Sequence, residues 1–585
     1  MIVRDYGYPL HSVEQRKDFR EMLDKTCERF GEHLSFFEKT ADGPYRGISY
    51  NAFRTTVRCL GEALHSIGFS RRDRVALIGR NCRTWAVSYY ALVSSDFIVV
   101  PIDKEISDRD MAHVMEKAGV RGIIFENRYA DTIARLPAQP ALQVPFESDT
   151  AYAHSIESLI SRGKRLTADG GGVYDELQTD PDEVAAIIFT SGTTGSAKGV
   201  MLSQRNMISN IVQMQQLIRV RGDMVFLSVL PLHHVYECTC GFLCMVHAGV
   251  GIAYTQSLKK IAENLVESRA TNINVVPLLL ESFCKKIRDG IFESWKTRLM
   301  FRIGLFACAA SEAVLRRNVR RKLFRRIHER LGGRLDLFIT GGAAANPRIS
   351  TFLRKLGFRV LQGYGITECS PFLSGNRDHF FRDAAAGLPS PGCDIRIFDR
   401  NRKGVGEIGV KGPNVMLGYY NEPGLTAAAF RDGYFLTGDL GYLDRHNFLY
   451  IKGRIKDVLV APNGKNIYPE EIEFLFAEST FIREIVILEG VPPRGSGHAI
   501  VAHLVPAPDA FAEELGKPIE EISSGDMIPI LRGEIREKNM HLHHYERIRY
   551  FYIHSSEFER TTTKKVKRFM VKPEGKMIAV SEKGG

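Results

Sequence analysis

The chain predicts an α/β protein. It has a large N-terminal domain of parallel α/β subdomains plus a small β subdomain, then a small α+β C-terminal domain. Three observations carry this. Apolar runs of strand length alternate with helical stretches: Asp73-Arg-Val-Ala-Leu-Ile78, then Thr84 to Ser94, then Asp96-Phe-Ile-Val-Val-Pro101. Strand, helix and strand at this spacing make a βαβ unit with parallel pairing. Glycine-rich loops follow directly on several apolar runs, which is where α/β sheets place ligands. From about Gly387 to Tyr450 the pattern changes to short alternating strands with Gly-Asp turns. The predicted boundaries are 1–453 for the large domain, with the β subdomain at about 387–450, and 454–585 for the C-terminal domain.

The elements follow in order. Val13 to Phe30 predicts a helix, and Tyr50 to Ile67 a second. Ala112 to Lys117 and Gly122 to Phe125 repeat the helix–strand theme. Gln139 to Thr150 and Asp169 to Gly172 read as loops. Ala185 to Phe189 is an apolar strand, Gln204 to Ile218 a helix and Met224 to Leu230 a strand. Asn272 to Pro277, Gly304 to Ala309 and Leu335 to Ile339 are predicted as further short strands. Gly406-Glu-Ile-Gly-Val-Lys411 typifies the β subdomain, and beyond Arg454 a compact domain ends in a basic tail.

Composition bounds the function classes. A chain of 585 residues is too long for one core, and 44% apolar with 25% charged residues is ordinary for a globular protein. No run of eighteen apolar residues suggests a membrane span. The start, Met-Ile-Val-Arg-Asp-Tyr, does not read as a secretory signal. Ten cysteines scattered between Cys27 and Cys393 suit a reducing, cytoplasmic setting rather than a disulfide framework. The net charge of +11 is unevenly placed, and Arg316 to Arg334 holds nine Lys/Arg against one acid, Glu329. Leu315, Val319, Leu323, Phe324, Ile327 and Leu331 recur there at helical spacing, so a basic amphipathic helix is expected. Such a helix packs on a core with a solvated basic face, or meets anionic lipid head groups in a weak membrane-surface contact. No aromatic-interleaved basic motif accompanies it, so nucleic acid is not an expected partner.

The chemistry concentrates in a few stretches. Ile187-Ile-Phe-Thr-Ser-Gly-Thr-Thr-Gly-Ser-Ala-Lys-Gly-Val200 is a strand running into a loop of hydroxyls and glycines. Glycines let backbone N–H groups turn inward and form a concavity for an anion. Thr190, Ser191, Gly192, Thr193, Thr194, Gly195 and Lys198 are the candidate phosphate-binding residues. The Walker pattern fails, because Lys198 follows Ala197 and precedes Gly199, and so does the Rossmann fingerprint. Gln362-Gly-Tyr-Gly-Ile-Thr-Glu368 follows another strand and offers Gly363, Tyr364 and Gly365 beside the oxygen ligands Thr367 and Glu368. An aromatic ring can stack on a purine, and Mg²⁺ binds few carboxylates plus substrate phosphates. Asp439 in Tyr434-Phe-Leu-Thr-Gly-Asp-Leu-Gly441, Arg454 and Lys456 in Ile451-Lys-Gly-Arg-Ile-Lys-Asp457, and Gly342 and Ala343 in Leu337-Phe-Ile-Thr-Gly-Gly-Ala-Ala344 complete the set. On residue types alone each of these is also compatible with an ordinary turn. His233, His234, Cys238, Cys240, Cys244 and His247 are dense, but their spacing does not match paired zinc ligands. The cysteines are expected on a buried helix.

Taken together these motifs resemble those of the adenylate-forming superfamily of acyl-CoA synthetases, luciferases and peptide-synthetase adenylation domains. The matches run from Thr190 to Lys565 in the family's order. Pro231-Leu-His-His-Val-Tyr-Glu237 and Gly464-Lys-Asn-Ile-Tyr-Pro469 look most like the long-chain fatty acid–CoA ligase branch. The resemblance implies that Tyr364 packs on adenine, with the backbone around Gly342 alongside it. Glu368 holds Mg²⁺, Asp439 takes the ribose hydroxyls and Arg454 contacts ribose and phosphate. His234 stands beside the acyl pocket, and Lys456 is the hinge of a mobile C-terminal domain. Lys565 falls on the catalytic lysine, with Lys564 as a rival, because Glu559 and Lys564 replace the family's proline and glycine. Ala197 likewise replaces the usual proline before Lys198.

The implied activity uses ATP, Mg²⁺ and CoA to convert a medium- to long-chain fatty acid to acyl-adenylate and then acyl-CoA. Three alternatives stand beside it: transfer to an acyl carrier protein, a luciferase-like monooxygenase, and a non-catalytic nucleotide-binding or scaffolding protein.

Overall fold

The computed structural model describes residues 9–39, 43–168, 172–190, 197–292, 294–315, 318–343, 345–461, 465–493, 498–561 and 566–581. Predicted site residues Ser191, Gly192, Thr193, Thr194, Gly195 and Lys565, with the rival Lys564, lie outside them. The protein is α/β, and its chain divides into two compact units. One holds Met1–Arg396, Gly409–Phe435 and Asp444–Leu449; the other holds Ile397–Ile408, Leu436–Leu443 and Tyr450–Gly585.

The first unit is built on two large sheets. One has the strand order Leu388–Pro389, Phe372–Gly375, Arg359–Gly365, Leu337–Thr340, Asn272–Val275, Val225–Ser228, Gly251–Tyr254, Leu34–Lys39, Tyr45–Ser49. Its six inner strands from Arg359–Gly365 to Leu34–Lys39 pair in parallel. Their carboxyl ends therefore lie on one edge. The other sheet runs Gly418–Tyr419, Lys198–Ser203, Val184–Thr190, Ile98–Pro101, Arg74–Ile78, Gly122–Phe125, Leu142–Pro145. Within it the predicted βαβ unit forms, and Arg74–Ile78 pairs in parallel with Ile98–Pro101. These short strands are nearly continuous apolar runs because both faces are covered, as all-parallel segments require.

Helix ends follow local chemistry. The helix Asp108–Ala118 starts at Ser107, whose hydroxyl accepts from the Asp110 amide. It stops at Gly119 in the left-handed conformation. The first helix spans Phe19–Phe30, shorter than the expected start at Val13, because Asp18 caps it and accepts from the Glu21 amide.

Two expectations are corrected. The segment Gly304 to Ala309 is not a strand; it lies inside the helix Trp295–Ala310, started by a Ser294–Thr297 capping box. A short apolar run is ambiguous between strand and helix, and the cap decides. The basic segment is not one amphipathic helix. Its described part forms two short helices, Arg320–Leu323 and Arg325–Glu329, broken at Phe324 with φ −97° and ψ 25°. Its charge is also partly paired: Arg320 lies 2.7 Å from Glu312, and Arg321 lies 3.3 Å from Asp336.

The second unit holds a four-stranded sheet of order Ile482–Gly490, Ala499–Pro506, Tyr550–Ile553, Ile578–Ala579. Ile487, Ala502, Leu504, Phe511, Leu531, Ile535 and Phe551 make its core, the helix residues coming from Pro508–Leu515 and Ser524–Asn539. No described helix is long and apolar enough to cross a membrane.

Candidate active site

The parallel strands of the nine-stranded sheet end in polar residues. Ser228, Asn274, Thr340 and Gln362 stand at or near the carboxyl ends of neighbouring strands. Beyond Thr340 the chain turns at Gly341 and Gly342, and beyond Gln362 it runs through Gly363, Tyr364 and Gly365. These turns wall an apolar cleft that also takes in Tyr236, Ile339, Leu361 and Phe372. The cleft encloses about 540 Å³ of empty space, its open mouth included. The structure thus brings Gly342, Gly363, Tyr364 and Gly365 into one wall. Gly342 has φ +85°, a conformation that favours glycine. Gly365 is required for another reason: a Cβ there would stand 2.0 Å from the Pro371 carbonyl oxygen.

Two side-chain atoms in this wall, Thr340 Oγ1 and Gln362 Oε1, are buried and have no hydrogen-bond partner among the described residues. Buried polar atoms are nearly always paired, so orphans in a cleft wall mark a place where a ligand or water completes the bonding. Deeper in, Glu237 is fully buried on the π-helix Tyr236–Leu243. It accepts from the Ser228 hydroxyl at 2.6 Å and from Asn274 Nδ2 at 3.4 Å. Burial pushes its carboxyl up to about 8. The folded state therefore binds this proton more tightly than the unfolded chain. Stability is full below the unfolded carboxyl's range and falls as pH rises from there through about 8, by up to ~1.4 kcal/mol per pH unit. Glu237→Gln is expected to flatten this dependence; unfolding midpoints at mildly acid and mildly alkaline pH measure it, and an unchanged slope contradicts it.

His234 sits at the start of the same segment, held neutral by burial and by His233, whose ring centroid is 4.3 Å away. His233 Nε2 lies 3.3 Å from Asp103 Oδ1. Cys238, Cys240 and Cys244 are buried free thiols in the helical segment that follows.

The stems of the Gly- and Thr-rich loop are an antiparallel pair, Val184–Thr190 with Lys198–Ser203, in which Thr190 faces Lys198. The Lys198 stem is anchored twice. Lys117 Nζ donates to the Ala197 carbonyl at 3.0 Å and pairs with Glu422 at 3.0 Å. On the other side the two-residue strand Gly418–Tyr419 adds to Lys198–Ser203. That pairing lays the Tyr419 ring 5.1 Å from Lys198 Nζ. The Tyr419 hydroxyl donates to Glu368 Oε1 at 3.0 Å. Burial, then the Glu368 charge, raises the Tyr419 hydroxyl's pKa, so it stays a donor. Lys198, Tyr419 and Glu368 therefore form one chain linking the end of the glycine-rich loop to the Glu368 carboxylate. Thr367 and Glu368 lie in the 3₁₀ turn Thr367–Cys369, two and three residues past Gly365.

Glu368 fits a magnesium ion. Tyr419 fixes one carboxylate oxygen, and the other accepts no hydrogen bond among the described residues. A hard cation that takes one or two carboxylates and completes its shell with phosphate and water suits that arrangement. Tyr419→Phe is expected to raise the KM for MgATP on the order of tenfold, the loss of one hydrogen bond to a charged group, with a smaller change in kcat. A shift in thermal midpoint with unchanged MgATP dependence assigns Tyr419 to structure alone.

In the second unit, Asp439 and Arg454 come together: Arg454 Nε lies 3.1 Å from Asp439 Oδ1. They stand on the paired strands Tyr434–Leu443 and Leu449–Arg454. Gly438, at φ +72°, precedes the aspartate, whose amide donates to Thr437 Oγ1 at 3.1 Å. Lys456 is exposed in the 3₁₀ turn Ile455–Asp457. Arg560 and Val566, which flank the segment carrying Lys565, form an antiparallel bridge. Arg568 is tied to Glu473 and donates to the Ile487 carbonyl at 3.2 Å. Tyr419 and Lys117 were invisible to the sequence reading, because their partners lie 51 and 305 residues away and no motif marks them.

The chain has relatives among known proteins. The family model described as AMP-binding enzyme matches residues 23–420, and the chain belongs to that family. Its relatives include the long-chain-fatty-acid–CoA ligase FadD15 of Mycobacterium bovis, 27% identical over 93% of each chain. Long-chain-fatty-acid–CoA ligase 1 of Homo sapiens is 28% identical over 76% of this chain and 68% of its own. In fold the chain is similar to the anthranilate CoA ligase AuaEII solved with anthranoyl-AMP. That match has a TM-score of 0.74 and 16% identity over 95% of this chain and 97% of that one. The protein is thus an adenylate-forming enzyme of the acyl-CoA ligase kind.

Proposed function

We propose that the protein activates a medium- to long-chain fatty acid with ATP and transfers the acyl group to CoA. The observation that supports this most is the Lys198–Tyr419–Glu368 chain, together with an apolar cleft whose wall carries Tyr364 and two buried polar atoms that have no partner among the described residues. The names of the two relatives favour a long acyl chain.

In this reading the acid lies in the cleft and Tyr364 stacks on the adenine. The acid's carboxylate attacks the α-phosphate in line, and pyrophosphate leaves. Carboxylate and triphosphate repel, so preorganised positive charge is needed where negative charge develops. Lys198 and the loop donors Ser191, Thr193 and Thr194 bind the departing phosphates, and Lys565 supplies charge at the α-phosphate. Magnesium held by Glu368 neutralises the polyphosphate when bound. Asp439 and Arg454 hold the ribose. The C-terminal domain then turns about Lys456, which withdraws Lys565, and the CoA thiol attacks the acyl carbonyl to release AMP. A thiol with a pKa near ~8.5 needs little help from a base.

Pyrophosphate release with a panel of carboxylic acids, with and without CoA, tests the reading. Release with fatty acids and thioester formation with CoA are expected. Release without thioester points to a carrier-protein acceptor, and no release with any acid refutes catalysis.

A further inference from the structure

The helix Trp295–Ala310 is apolar on two sides. Its inner side is satisfied: Phe301 lies 5.6 Å from Phe324 and 6.0 Å from Phe352 by ring centroid, and Cys308 is buried. A helix that is apolar all round belongs inside a protein or a membrane. Here the outer side stands in solvent. Trp295 is 69% exposed, Met300 66%, Ile303 59% and Phe306 77%, and Leu299 lies among them at 47%. Trp295, Leu299, Ile303 and Phe306 share one face at helical spacing. The inner packing does not require that face to be apolar.

Its border is cationic. Lys296, Arg298 and Arg302 flank the face, and the sixteen residues contain no carboxylate. Lys296 Nζ sits 5.9 Å from the Trp295 ring, and the Arg298 guanidinium 5.7 Å from the Phe292 ring. Aromatic and aliphatic groups beneath a rim of cations match the boundary between acyl chains and anionic head groups.

We propose that this face docks the enzyme on an anionic lipid surface. The basic segment that first suggested such contact is partly paired with its own acids, so the apolar helix beside it is the insertion element. A second copy is the poorer occupant, because a two-fold contact through this face sets three cations against three. Docking is independent of which acid is activated.

The chain carries a built-in reporter. Of its two tryptophans, Trp85 is 1% exposed and Trp295 is on the face. The full chain is mixed with vesicles of equimolar phosphatidylglycerol and phosphatidylcholine, and with phosphatidylcholine alone. Cosedimentation and a blue shift of tryptophan emission are expected with the first. Ile303→Asp with Phe306→Asp is expected to weaken partitioning on the order of tenfold or more, while adenylation of a short, water-soluble acid is unchanged. Arg298→Glu with Arg302→Glu, which leaves the apolar groups intact, is expected to lower binding to the anionic vesicles and reduce its salt dependence. Undiminished binding of both variants, or no binding by the parent protein, overturns the proposal. So does a change in oligomeric state of the Ile303→Asp/Phe306→Asp protein without a change in vesicle binding, which assigns the face to a second copy.

Discussion

Lys565→Ala is expected to slow acyl-adenylate formation by on the order of 10²–10³, the cost of removing one preorganised group that stabilises developing charge. Thioester formation from supplied acyl-adenylate should stay near the parent rate. The asymmetry follows from the proposed two-step cycle. In that proposed cycle the lysine acts at the α-phosphate only while the first bond forms, and the proposed turn about Lys456 then withdraws it. A general defect in folding or nucleotide binding depresses both steps together. Single-turnover measurement of each half-reaction separates the cases, and equal losses refute the assignment. Lys564→Ala is the control, since the two lysines are adjacent and the segment departs from the family's pattern at Glu559 and Lys564. If Lys564→Ala gives the larger asymmetric loss, the register moves by one residue.

Glu368→Gln is the second large effect. The substitution keeps the shape and a hydrogen-bond acceptor for Tyr419 while removing the charge that suits a hard cation. Adenylation is expected to fall on the order of 10²-fold or more, with the magnesium dependence displaced to higher concentration. Raising magnesium should recover part of the loss. A fall in rate with an unchanged magnesium profile assigns Glu368 to holding Tyr419 in place instead. Comparing Glu368→Gln with Tyr419→Phe and with the double variant measures their coupling. Two residues acting through one hydrogen bond should give less than the sum of the separate losses.

Much of the fold was legible because the buried strands of the two large sheets are short apolar runs, as at Arg74–Ile78, Ile98–Pro101 and Leu337–Thr340, the first and last followed directly by a glycine. Gly304 to Ala309 misled for the same reason: six apolar and small residues carry no period that separates strand from helix, and the deciding signal was a cap ten residues upstream at Ser294. The basic segment misled differently. Its helical spacing is real, yet Phe324 breaks it and Gly332 and Gly333, with φ of +85° and +71°, end it. At the site, contiguous motifs such as Gln362 to Glu368 could be read directly. What joins them could not, because Tyr419 reaches Lys198 and Glu368 only through strand addition between distant segments.

That strand addition also dictates an order of events during synthesis. Lys198 and Glu368 are both translated before residue 419, so a nascent chain carries the stems of the Gly- and Thr-rich loop and the acid while nothing yet connects them. The edge strand Gly418–Tyr419 then closes the seven-stranded sheet across more than two hundred residues, a contact that is slow to form because so long a segment must first be brought together. Until it docks, the outer edge of Lys198–Ser203 is open to pairing with another chain, the kind of exposed edge from which misassembly starts. The same two-residue strand that joins Lys198 to Glu368 is thus also the cap that covers this edge against pairing with a neighbouring chain.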